Sequence, residues 1–73
     1  MKFPINVVRK KNKTIIYGYA VDGWTDVCYR KIGTIKFDER RNIYCFHQSW
    51  LLKAIRQEFI PIIWTEMERM RKR

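Results

Sequence analysis

The spacing of apolar residues changes once along this chain, at Gln48, and that change limits the fold more than any other feature. Before it, apolar side chains recur at every second position, the repeat of a half-buried strand. After it they recur at every third or fourth, the repeat of a helix with one greasy face. A chain of 73 residues is one domain near the lower limit for a self-sufficient core. The expectation is therefore an α+β domain over 1–73, strand-rich through 1–47 and helical through 48–73.

The first half divides into two hairpins. Phe3, Ile5 and Val7 share one face of a short strand over 3–9, with Pro4 confining it to an edge. Arg9-Lys10-Lys11-Asn12-Lys13 makes a cationic turn. Thr14–Val21 then forms a β-branched and aromatic strand closed by Asp22-Gly23. A second pair is expected over 27–37 and 43–47, joined by Asp38-Glu39-Arg40-Arg41-Asn42. Pairing Phe37 with Tyr44 also pairs Ile35 with Phe46 and places all four on one face. Thr34, Lys36, Cys45 and His47 then occupy the other, and Gly33 marks a bulge or bend. About four antiparallel strands result.

Past Gln48, Ser49 is the expected N-cap of a helix through Trp50–Phe59, with Leu51, Leu52, Ile55 and Phe59 inward and Lys53, Arg56 and Gln57 outward. Pro61 lacks a donor and clashes with the preceding turn, so the C-terminal helix is expected to kink or break there, with one helix ending and another starting. Ile63, Met67 and Met70 carry the apolar stripe onward. Glu68 is placed to pair with Arg71 and Lys72 one turn later. The stretch Phe59–Trp64 is apolar on more than one face, which suits a core kink and also a ledge exposed for docking.

Charge bears on function. Sixteen Lys and Arg against seven Asp and Glu give a formal net charge of +9. A small domain needs far less for solubility, and the excess repels itself in the compact state. Ten of the cations fall in three groups: Arg9, Lys10, Lys11 and Lys13; Arg40 and Arg41; and Arg69, Arg71, Lys72 and Arg73. A single group is an ordinary solvated turn or helix end. Three together point to a polyanionic or acidic partner. With 47% hydrophobic residues the chain is too apolar for a disordered basic tail.

Tyr17, Tyr19, Tyr29 and Trp24 lie in or beside strands and suit a platform for stacking bases, although sheet residues of this kind also pack under helices. No RNP-type aromatic motif, KH-type loop or zinc-finger spacing accompanies them. His47 is the only histidine, so histidine acid–base chemistry rests on it alone. Cys45 beside it resembles a nucleophile pair, and a basic RNase-like toxin using His47 is the enzymatic alternative. A zinc site from Cys28, Cys45 and His47 lacks a fourth ligand. The expectation is a non-enzyme with no metal and no cofactor. Two cysteines form no secreted-type disulfide framework, the N-terminus lacks the apolar stretch of a signal peptide, and no run approaches a membrane span. A cytoplasmic protein without a membrane partner is expected.

The short chain, the cationic Arg9–Lys13 hairpin, the compact sheet and the basic Arg69–Arg73 tail together resemble the small regulators with which bacteriophages seize host machinery, including those that bind host RNA polymerase. The resemblance implies a transcription regulator acting in the host cytoplasm. It implies that Phe3–Arg9, with Ile5 and Val7, adds a strand to a partner. It also implies that the basic tips meet acidic polymerase surfaces or template DNA. Direct DNA or RNA binding is the alternative within binding proteins.

Overall fold

A computed structural model describes residues 4–22, 26–50, 52 and 54–72, with backbone alone at Val21, Asp22, Asp26 and Val27. Phe3, Gly23, Trp24, Leu51, Lys53 and Arg73, to which the sequence assigns roles, lie outside the described residues. Four strands, β1 (Asn6–Arg9), β2 (Lys13–Asp22), β3 (Asp26–Asp38) and β4 (Ile43–Gln48), form an antiparallel sheet in the order β1-β2-β3-β4. A single 3-10 turn (Gln57–Phe59) leads into the helix α1 (Ile60–Arg71). The α+β architecture is the one that the change of apolar period at Gln48 implies.

The expected register is present. Phe37 faces Tyr44 and Ile35 faces Phe46, and the next pairs are Lys36 with Cys45 and Thr34 with His47. The turn between β3 and β4 closes on Asn42, held at φ 58°, where asparagine is tolerated and β-branched residues are not. Asp38 Oδ1 accepts the backbone N–H of Arg40 at 3.0 Å and fixes the entry to that turn. A bulge falls beside Gly33: Ile16 pairs with Gly33 but Tyr17 pairs with Lys31, so Ile32 is the extra residue in β3. Glycine is needed there because a Cβ would run into the Phe46 ring and the His47 carbonyl.

One face of the sheet carries the core. Ile16 and Ala20 of β2 and Ile32 and Ile35 of β3 pack with Leu52, Phe59, Ile63 and Met70 from the C-terminal part. Phe59 seats against Gly18, where a Cβ would lie 2.6 Å from the ring. Thr14, fully buried, donates its hydroxyl to Met70 Sδ at 3.4 Å and accepts from Arg69 at 3.2 Å.

Two expectations for the C-terminal part are corrected. The helix read from a Ser49 cap through Phe59 does not form. The backbone N–H of Ser49 donates to the Ile32 carbonyl at 2.9 Å, and that of Leu52 donates to the Ser49 carbonyl at 3.0 Å. Arg56 is extended at φ −65°, ψ 146°. Leu52 and Phe59 are buried and Ile55 half-buried as the apolar spacing requires, but anchored separately under the sheet rather than on one helix. Pro61 kinks no helix; the 3-10 turn ends at Phe59 and α1 starts at Ile60, the second outcome expected there. It stands in the first turn of α1, where the missing N–H has no intrahelical acceptor to lose and the fixed φ suits the helix. The ledge at Phe59–Trp64 divides: Phe59 and Ile63 enter the core, whereas Ile60 and Trp64 are exposed.

Candidate nucleic-acid interface

The side of the sheet away from α1 is built by the alternate residues of the same strands. Register orders it in rows. Lys13, Lys36 and Cys45 form the first. Val8, Ile15, Thr34 and His47 form the second, Asn6, Tyr17 and Lys31 the third, and Tyr19 and Tyr29 the fourth. Lys13, Lys31, Lys36 and His47 are exposed. Lys13 stands directly opposite Lys36, an arrangement of like charges that weakens a cross-strand pair.

The three tyrosines are clustered. The rings of Tyr17 and Tyr29 lie stacked, 6.2 Å apart at 11° between planes, and Tyr19 meets Tyr29 edge-on at 5.5 Å. Asn6 Nδ2 donates to the Tyr29 hydroxyl and orients that ring. Tyr29 keeps 43% of its surface exposed, so the cluster stays open to solvent instead of being buried. Trp24, the fourth aromatic expected in a stacking platform, lies outside the described residues.

The cationic groups of the sequence converge. Because Lys13 pairs with Lys36 and Asp38 with Ile43, the tips of both hairpins lie at the same end of the sheet. The last turn of α1 arrives there too, with Met70 on Thr14 and Arg71 beside Phe37 and Ile43. Lys10, Lys11 and Lys13, Arg40 and Arg41, and Arg71 and Lys72 thus share one basic end, which runs onto the tyrosine-bearing face through Lys13 and Lys36. Sequence separation concealed this, since topology alone brings three distant runs together.

Not every cation in those runs faces outward. Arg9 Nε donates to Glu66 Oε1 at 2.6 Å, and Arg69 Nε donates to Glu66 Oε2 at 3.0 Å. Glu66 is only 3% exposed. Burial pushes its carboxyl up, but hydrogen bonds from Arg9 and Arg69, with their charges, outweigh that and hold it below the ordinary carboxylate range. Arg9 and Arg69 therefore fasten the first hairpin to the helix. The sequence signal for this was a carboxylate lying within the Ile63–Met67–Met70 stripe. Arg71 and Lys72 reach Glu68 at 3.8 Å each, as the spacing implied.

At the sheet edge, Ile5 packs against the core and Val7 lies opposite Ile16 on the helix side, whereas Asn6 and Val8 are exposed on the open face. Cys45 and His47 share the open face as expected. Cys28 lies opposite Ala20 on the helix side, so Cys28, Cys45 and His47 do not converge on one point. Among the described residues no three His, Cys, Asp or Glu side chains group to hold a metal, and no helix is long and apolar enough to cross a membrane. No protein-family model, no curated protein and no solved structure matches this chain.

Proposed function

We propose that the chain is a non-enzymatic domain that binds single-stranded nucleic acid across the open face of its sheet. One observation carries the reading: the register sets Tyr17, Tyr19 and Tyr29 in line with Lys13, Lys31 and Lys36 on the face that α1 leaves uncovered. Aromatic rings accept unpaired bases by stacking while lysines follow the phosphates, and neither contact requires a particular base. Bases inside a duplex expose no face to such rings, which favours single strands over duplex.

Gel-shift or anisotropy titrations over a salt series test this. Binding should weaken with salt by a log–log slope of about −0.7 per phosphate neutralised on a single strand. Tyr17→Ala with Tyr29→Ala should weaken it further at constant slope, since stacking is not ionic. Equal affinity for duplex and single strand, unaffected by the tyrosines, contradicts the reading.

A second reading, regulation of transcription by docking on an acidic surface such as that of RNA polymerase, draws support from the basic end. There Phe37, Ile43, Tyr44 and Met67, with Asn42 and Arg71, line a cleft of about 620 Å³. Aromatic and arginine side chains around a greasy patch suit a protein partner. Capture of the same partner from lysate with and without nuclease separates the two readings. The RNase alternative requires that the protein cleave RNA and that His47→Ala abolish cleavage.

A further inference from the structure

Beside the tyrosine cluster, where β3 and β4 meet the chain leaving β4, the open face sinks into a concavity of about 610 Å³, within the range of about 300–1,000 Å³ usual for small-molecule sites. Its lining includes Lys13, Lys31, Lys36, Thr34, His47 and Trp50, and no described carboxylate borders it. The composition is that of a phosphate site with an aromatic wall.

Trp50 is the unusual member. It is 90% exposed, although an indole is among the largest apolar surfaces a chain possesses and is ordinarily buried. Nor does it dangle from a loose loop. On one side Ser49 is tied to the Ile32 carbonyl at 2.9 Å. On the other, Leu52 is buried, its N–H bonds to Ser49, and its carbonyl accepts from Gln48 Nε2 at 2.8 Å. Trp50 thus follows a residue bonded to β3, with its indole facing solvent at the rim of a lysine-lined hollow.

We infer that this concavity is a nucleotide seat, in which one base stacks on Trp50 while its phosphate lies against Lys31, Lys36 and Lys13, with Thr34 and His47 in hydrogen-bonding reach. The inference rests on the single-strand reading and adds the position at which the strand is anchored. The phosphate is either an internal phosphodiester or the terminal phosphate of a strand; the same lysines serve both.

The test uses Trp24→Phe with Trp64→Phe, which leaves Trp50 as the only tryptophan. Oligonucleotides of about 10 nucleotides, with and without a 5′-phosphate, are titrated while Trp50 emission and anisotropy are both followed. Quenching of Trp50 that saturates together with binding is expected. Trp50→Ala should raise Kd by about 5- to 150-fold, the range for removing one base stack, with the far-ultraviolet circular dichroism unchanged, and Trp50→Phe should recover part of the loss. Preference for the 5′-phosphate supports a seat for strand ends; indifference to it supports an internal one. Oligonucleotide binding that leaves Trp50 emission and the Trp50→Ala affinity unchanged overturns the seat while the broader reading stands. No binding to any single strand overturns both.

Discussion

The two faces of the sheet are made by alternate residues of the same strands, yet they obey different constraints. On the helix side β2 presents Thr14, Ile16, Gly18 and Ala20, all buried and all shaped to what lies above them. On the open side it presents Lys13, Ile15, Tyr17 and Tyr19, of which only Ile15 is buried. The helix side even recruits charge for structure, since Arg9 and Arg69 close on Glu66. The open side sets Lys13 against Lys36 and leaves Tyr29 43% exposed. Packing explains most of the first face, Phe37 at its end excepted, and little of the second. That contrast is the physical basis for assigning function to the second.

Substitutions that respect this division should separate stability from binding. The largest effect is expected from Phe59→Ala, which empties the space over Gly18 and should cost about 3–5 kcal/mol. A domain this small has little more than that in reserve, so urea denaturation should find the variant largely unfolded. Next, Lys13→Glu with Lys36→Glu should lower single-strand affinity by on the order of tenfold per site at low salt and flatten the salt slope by about 0.7 for each phosphate no longer neutralised. The urea midpoint should not fall, because a repulsive pair is only re-signed.

Glu66 gives a smaller test. Its carboxyl is held below the ordinary range in the folded state, so its stabilisation is complete above the unfolded pKa and is lost as pH falls through the folded one. Glu66→Gln should cost about 1–2 kcal/mol at neutral pH, short of the value for a fully buried pair because Arg9 is half exposed. Urea midpoints measured from pH 7 to pH 2 should fall less steeply for Glu66→Gln than for the parent. The smallest effect is expected at Glu68→Ala, whose partners sit 3.8 Å away on an exposed helix end; a thermal melt should move by less than about 1 kcal/mol equivalent.

The sheet was legible because its rules are local. Ile35, Phe37, Tyr44 and Phe46 alternate on either side of a four-residue turn, and slipping the pair by one residue would send all four to the wrong face. The stretch from Ser49 to Phe59 was misread for the converse reason. Leu52, Ile55 and Phe59 have helical spacing, but each finds its place under the sheet separately, and the tie from Ser49 to Ile32 draws the chain away from a helix before it can start. Pro61 was read as a breaker because its position in the first turn depends on where the helix begins. The site was partly legible: Tyr17, Tyr19 and Tyr29 stood out as a stacking group, and Lys36 and His47 were assigned to the correct face. The bond between Arg9 and Glu66 spans 57 residues, and no local pattern reports it. The gathering of the basic runs at one end is likewise a property of strand order.

The most direct test of the claim that the open face is the binding face is a chemical-shift map of the 15N-labelled protein titrated with a short single strand. The prediction is that the amide signals of Lys13, Tyr17, Tyr29, Lys31 and Lys36 move with a common saturation curve while those of Ile63 to Met70 stay in place. Movement concentrated on α1 and the Asp38–Ile43 turn, with the tyrosine rows still, would contradict the account.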